Sequence, residues 1–175
     1  YFLQLPEEFL AFLQNEYREL DEDFPFITEL AHYEYADLAL RVSPNQNDLS
    51  GVDADGDLLA NMPVKSELAW AFAYHYPVHE IAADFIPTEK LQQPAYLAVY
   101  RRDDDVVRFM ELNAVTAALL DAIENNDNAL SGEFLLRKLA KEINYPNVDA
   151  LLKHGADALT EMLQLQILVG TRRTG

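Results

Sequence analysis

The chain has 175 residues, with 13 Lys and Arg against 30 Asp and Glu, a formal net charge of −17, and no cysteine. The lack of cysteine excludes disulfides, thiolate catalysis, and zinc or iron–sulfur sites with cysteine ligands. Strong acidity argues against nucleic acid as a partner, because phosphates require a basic surface. No apolar stretch reaches the roughly 18 residues of a membrane-spanning helix. No basic region opens the chain, so we expect a cytoplasmic protein without a signal peptide or membrane contact.

The negative charge is concentrated in the first half of the chain. Residues 1–90 hold 18 acidic and 4 basic side chains, whereas residues 91–175 hold 12 acidic and 9 basic ones. The two parts are therefore expected to differ in organisation and in partners. Even the second part lacks a basic stripe, because its Arg and Lys residues are interspersed with acids.

The first part is predicted to be helical up to a long acidic loop. Residues 6–20 and residues 25–42 each place apolar side chains at three- and four-residue spacing, which is typical of an amphipathic helix. Residues 46–67 are rich in Asp, Asn and Gly and are predicted to form the acidic loop. We interpret residues 1–45 as a helical segment, either the end of an N-terminal helical domain or linker helices.

The second part, residues 68–175, is predicted to form an α+β domain. Its strands are predicted at 68–76, 96–101, 106–112 and 164–169, and the second and third of these form a hairpin with a charged tip. Three helices follow the hairpin, with N-caps at Asn113, Ser131 and Asn147. A small antiparallel sheet with three compact helices is typical of a winged-helix or PqqD-like recognition domain, although a fold alone does not establish function.

Two groups of histidines and carboxylates are candidates for chemistry. His75 and His79 are four residues apart, but a metal site would need a third ligand. On the second predicted helix, Glu29 and His32 are spaced closely enough to touch. Packing or docking against another element is the favoured interpretation of both groups, so no metal site is predicted. The predicted partner contacts are Glu29, His32, Tyr33, His75 and His79.

No self-sufficient active site is evident. Counted from Asp53, the acidic run has Gly56 at its fourth position, whereas an EF-hand loop needs glycine at its sixth position and Glu at its twelfth. The sequence contains no phosphate-binding glycine motif and no GxSxG nucleophile motif. Neither catalytic residues nor a cofactor are therefore predicted, and we expect a protein that is not an enzyme.

The hairpin and the third helix offer a binding surface instead. An exposed strand edge can take up an extended peptide as an additional strand, with pockets for its side chains. The predicted peptide-binding residues are Val107, Phe109, Glu111, Leu152, Ala156 and Leu159. Two alternatives stay open: these apolar side chains form the domain's own core, or the closing strand at 164–169 occupies the edge.

Several stretches resemble the HvfC/BufC family, which is related to the methanobactin partner protein MbnC. They are FPFITELAHYEYADLAL, DGDLLANMPV, YHYPVHEI and PAYLAVYRRDDDVVRFMELNAVTAALL, and the resemblance runs from about residue 24 to about residue 169. Two features depart from the family pattern. The family begins with a helical N-terminal domain, described in older work as DNA-binding, of which this chain holds at most the final part. Tyr35 also stands where Trp is frequent.

The resemblance implies an accessory subunit that binds a ribosomally made precursor peptide through a C-terminal recognition domain. Such a subunit presents the leader of the precursor to a TIM-barrel, multinuclear-iron oxidase, which modifies cysteines of the peptide and holds the iron itself. The alternative is a transcriptional regulator of winged-helix type. That alternative requires a basic recognition helix, whereas the third predicted helix has Lys153 against Asp149, Asp157 and Glu161.

Overall fold

The computed structural model of the protein describes residues 24–173, so the helix predicted at residues 6–20 lies outside the described part. The second predicted helix is confirmed as α1, Ile27–Val42. Ser43 leaves helical geometry with ψ 127° because the next residue, Pro44, disfavours helical angles in the residue before it. The helix buries Ala36, Ala39 and Leu40 on its inner side.

Five strands form two antiparallel sheets within the described residues. The strands are β1 (Met62–Lys65), β2 (Ala69–Tyr74), β3 (Ala95–Arg101), β4 (Val107–Leu112) and β5 (Leu168–Arg172). The order β2-β3-β4 makes a three-stranded sheet, and β1 pairs with β5 alone. The predicted β3–β4 hairpin is confirmed, and Asp105 at its charged tip has a φ of 58°.

The prediction for the closing strand was wrong in its bounds, and part of the predicted acidic loop is a strand. Gln164 still belongs to the last helix, and the strand begins only at Leu168 because Gln166, with φ 62°, turns the chain first. This strand pairs with β1 and, through Thr171, with Asp53. Gly170 takes φ 138°, and a Cβ there would collide with the backbone of Asp53. The closing strand therefore does not occupy the edge of the three-stranded sheet.

The three predicted helices after the hairpin are confirmed as α2 (Ala114–Glu124), α3 (Gly132–Glu142) and α4 (Val148–Gln164). All three predicted N-caps are also confirmed. Asn113, Ser131 and Asn147 each accept a hydrogen bond from a backbone N–H of the first helical turn, at 2.9, 3.3 and 3.0 Å. Such a cap stabilises a helix by about 1 kcal/mol relative to alanine, which explains why these helix starts are readable from sequence.

The three-stranded sheet separates two layers of helix, which confirms the α+β class. On one face, α1 packs Leu40 and Ala36 around Val99. On the other face, α2, α3 and α4 pack with Ala98 and Tyr100 into the main core. Fully buried Leu side chains in that core each contribute about 1.5–3 kcal/mol through removal of apolar surface from water; they include Leu119, Leu120, Leu136 and Leu159.

Candidate functional site

The three-stranded sheet has two edges, β2 and β4, and the free edge considered as a site is β4, because within residues 24–173 no strand pairs with its outer side. The Arg101 N–H points to β2, where it donates to the Leu68 carbonyl at 2.9 Å. Hydrogen-bonding direction alternates along a strand, and Arg101 is opposite Val107 in the β3–β4 register. The backbone N–H and C=O groups of Val107, Phe109 and Glu111 therefore face outwards.

The side chains of the predicted peptide-binding residues lie on both faces of the sheet. Val107 and Phe109 pack on the α1 face, where the rings of Phe109 and Tyr33 are 4.5 Å apart. Leu159 is completely buried in the core on the opposite face, and Leu152 packs half-buried against that core. Phe109 and Leu159 therefore cannot line one pocket, since the sheet itself lies between them. Ala156 is half-buried and Glu111 is exposed.

A groove between α2, α3 and α4 was not predicted from the sequence. It has a volume of about 610 Å³, within the roughly 300–1,000 Å³ typical of ligand sites. Its accessible apolar floor is formed by Ala114, Val115 and Ala158, with the buried side chains of Leu119, Leu136 and Leu151 beneath them, and its α4 wall carries Gly155. A Cβ on Gly155 would collide with the Leu136 side chain, so this glycine lets α3 and α4 approach closely.

The groove begins where the free edge ends. Leu112 is the last residue of β4, and the next residue, Asn113, both caps α2 and lines the groove. A second, smaller cavity of about 320 Å³ lies between the sheet and α2 and includes Leu112 and Ala114. The outward-facing amides of β4 and the apolar groove are thus adjacent, and together they form one candidate surface for an extended chain.

Four of the five predicted partner contacts meet where α1 crosses the sheet. Glu29 accepts hydrogen bonds from the Tyr76 N–H at 2.9 Å and lies 3.1 Å from His75 Nδ1. His32 Nδ1 lies 3.0 Å from the Tyr74 hydroxyl, and the His32 ring meets the Phe72 ring edge-on at 4.7 Å. These side chains attach α1 to the end of β2, so their main contacts are internal. Their part in binding another protein stays a prediction.

Burial favours the neutral forms of His32, Tyr33 and Tyr74 in this cluster. Burial lowers the pKa of His32, and the nearby Glu29 carboxylate opposes that shift only in part. Burial also raises the pKa of Tyr74 and of Tyr33, with negative side chains adding to both shifts. A neutral imidazole next to a neutral phenol can share one hydrogen bond, which suits an interface between α1 and the sheet better than acid–base chemistry at neutral pH.

Arg101 holds the other end of α1. Its guanidinium Nη1 donates to the carbonyls of Leu40, Arg41 and Ser43 at 2.9, 3.1 and 3.0 Å. The last carbonyls of a helix have no partner within the helix and carry its negative dipole end, so a buried cation satisfies both needs. Sequence reasoning missed this role because Arg101 is the last residue of β3, far along the chain from α1.

His79, the fifth predicted contact, takes no part in the hydrogen bonds of Glu29 and His32. It lies in a short 3-10 turn, Val78–Glu80, with Nε2 3.7 Å from the Glu80 carboxylate. Its Nδ1 is buried and has no hydrogen-bond partner among residues 24–173. In the same part of the chain, no group of three or more His, Cys, Asp or Glu side chains is arranged to hold a metal ion.

The fold and the open edge define a small α+β domain with a sheet covered on both faces but unpaired along β4. Residues 66–163 match the family model of the HvfC C-terminal domain, a region that runs from before β2 to the last turn of α4. Because this match covers more than half of the chain, the protein belongs to the HvfC family, as the resemblance implied. A comparison with curated proteins found no match. No helix in the described part of the chain is long and apolar enough to cross a membrane.

Proposed function

We propose that the protein is a non-catalytic accessory subunit that binds the leader of a ribosomal precursor peptide and presents it to a TIM-barrel, multinuclear-iron oxidase for cysteine modification. Membership of the HvfC family supports the accessory role. The observation that carries the peptide-binding part is the unpaired β4 edge, which continues into an apolar groove. In this proposal the iron is bound by the oxidase.

Binding by strand addition explains why the edge and the groove are adjacent. An extended leader segment would pair its backbone with the outward groups of Val107, Phe109 and Glu111, gaining about 0.5–1.5 kcal/mol per hydrogen bond. Residues of the leader beyond the end of β4 would reach Asn113 and enter the groove, where their apolar side chains are removed from water. Backbone pairing would supply affinity, and the groove would supply selectivity.

The winged-helix regulator has less support. The helix that would enter a DNA groove in such a protein corresponds to α4, where Asp149, Asp157 and Glu161 outnumber Lys153. Phosphates would meet that surface unfavourably. A salt-sensitive mobility shift of duplex DNA by the full chain is the measurement that would favour the regulator instead.

The first test of the proposal distinguishes peptide binding through the backbone of β4 from binding through its side chains. Glu111→Pro removes one outward N–H at an edge position where proline is sterically tolerated, whereas Glu111→Ala removes only the exposed side chain. We expect the proline variant to bind a labelled leader peptide about tenfold more weakly, since about 1.4 kcal/mol is lost, and the alanine variant to bind normally.

Fluorescence anisotropy with a labelled leader peptide of an HvfC-family precursor measures both affinities. Thermal unfolding of each variant controls for loss of structure. Equal binding by the wild-type protein and a folded Glu111→Pro variant would show that the leader does not add to the β4 edge.

A further inference from the structure

Two acidic residues of α4 border the groove, and Lys153 lies one helical turn before the first of them. Asp157 and Glu161 are four residues apart, line the same wall of the groove, and form no ion pair in the described part of the chain. Among the residues that line the groove there is neither Lys nor Arg. The groove therefore combines an apolar floor with a negative rim.

This arrangement is unfavourable for the helix itself. Like charges four residues apart repel each other on a helix surface, and carboxylates near a carboxyl end oppose the helix dipole. The last turn of α4 contains no basic residue to offset them. Three acids of α1 and α3 are paired with a base one turn away: Asp37 with Arg41, Glu133 with Arg137, and Glu142 with Lys138.

From the apolar lining and the two carboxylates at its rim we infer that the groove selects a peptide segment in which apolar side chains alternate with Lys or Arg. The inference rests on the proposed function, because it specifies the class of peptide that the same surface takes. Apolar side chains of the segment would pack against Ala114, Val115 and Ala158, and its cations would meet Asp157 and Glu161 at the rim. Charge complementarity thus makes a basic peptide the occupant.

The amino end of α2 has the opposite polarity and defines the other wall. Asn113 already accepts a hydrogen bond from the Thr116 N–H at 2.9 Å, and no acidic residue stands in the first turn of α2. Backbone carbonyls of the bound segment suit this wall because they bring partial negative charge to the free N–H groups. The segment would therefore direct its basic side chains towards α4 and its carbonyls towards α2.

The test uses the full chain and three labelled peptides of equal length, with Leu at the same positions and Lys, Gln or Glu between them. We expect the Lys peptide to bind at least about tenfold more tightly than the Gln peptide at low salt, and the Glu peptide to bind most weakly. High salt should remove the preference, because the rim is exposed to solvent. Equal affinities for the Lys and Gln peptides would overturn the inference.

Substitutions test whether the preference for the Lys peptide arises in the groove. A double variant, Asp157→Asn with Glu161→Gln, should bind the Lys peptide no better than the Gln peptide. The control Glu142→Gln, an exposed acid of α3 outside the groove, should keep the full preference. Ala158→Phe fills the groove and should abolish binding of both peptides, whereas Thr160→Phe on the exposed side of α4 should not. A preference unchanged in the double variant would contradict the assignment.

Competition separates failure of this inference from failure of the proposed function. If the precursor binds at β4 but the Lys peptide shows no preference, only the groove's selectivity is wrong. If the Lys peptide binds as expected but excess precursor does not displace it, the groove selects basic peptides, and the precursor is not the ligand of the groove. A concentration-dependent dimer in light scattering that Ala158→Phe abolishes would assign the groove to a second copy of the chain and overturn the inference.

Discussion

At the scale of single residues, α1 is attached to the sheet by side chains whose partners are distant in sequence. Glu29 contacts the Tyr76 N–H at the start of the helix, and Arg101 contacts three carbonyls at its end. The Arg101 side chain is only 11% exposed, so its hydrogen bonds are made largely out of water. Such charge-assisted bonds are stronger than neutral ones, and their loss leaves the helix carbonyls unsatisfied.

Replacing Arg101 tests the importance of this contact. Arg101→Met keeps much of the apolar stem and removes all three hydrogen bonds, and we expect the free energy of unfolding to fall by about 2 kcal/mol. Arg41→Met is the matched control, since its ion pair with Asp37 lies on the exposed side of α1 and is expected to contribute less than about 0.5 kcal/mol. Urea denaturation measures both. A similar effect of the two substitutions would show that Arg101 does not hold the helix.

At the scale of elements, the buried imidazole of His32 makes the α1–sheet interface sensitive to pH. Burial lowers the pKa of His32 in the folded protein below its usual 6.5. The unfolded chain therefore binds a proton more readily, and stability is fully present above about pH 6.5 and is lost as pH falls below it. Protonation also places a charge beside Phe72 and Tyr74, where water is scarce.

We expect the free energy of unfolding of the wild-type protein to decrease between pH 7 and pH 5, and the decrease to be smaller in His32→Phe. The phenyl ring preserves the packing against Phe72 and removes the titrating group. His154→Gln, a change at an exposed histidine of α4, should retain the wild-type pH dependence. Denaturant titrations at several pH values give the slopes. Parallel slopes for the wild type and His32→Phe would contradict the role of His32.

The elements also show which parts of the structure were predictable. The helix caps at Asn113, Ser131 and Asn147 depend on hydrogen bonds within three residues, so local sequence was sufficient. The strand β1 was missed because its partner, β5, lies near the other end of the chain, and four residues within a Gly- and Asp-rich stretch carry little strand signal. A contact between distant segments has no local pattern that reveals it.

The candidate peptide-binding residues stay a prediction, and the structure shows how their side chains are arranged. Strand β4 was correctly placed beside a helix trio, yet side-chain alternation turns Val107 and Phe109 towards α1, away from α4. The position of α1 on that face was not readable from the hairpin itself. The groove depends on how three helices pack around Gly155, which sequence periodicity does not describe.

At the scale of the whole molecule, the structure shows where acidic side chains without an ion-pair partner lie. The formal charge of −17 argues against nucleic acid as a partner. In the structure, three acids of α1 and α3 are paired with a base one turn away, whereas Asp157 and Glu161 at the groove rim form no ion pair among residues 24–173. Uneven neutralisation concentrates negative potential beside an apolar cavity, where it favours approach of a basic ligand. Net charge and local charge thus carry different information about partners.

The central claim is that this protein connects a precursor peptide to an oxidase, and assembly of the three purified components tests it most directly. Sedimentation of labelled precursor with a barrel oxidase of the proposed class should show micromolar association only when this protein is present, with all three components in one complex. Glu111→Pro should weaken the association of the precursor with that complex about tenfold and leave the two proteins together. Precursor that binds the oxidase equally well without this protein, or no three-component complex at micromolar concentration, would contradict the account.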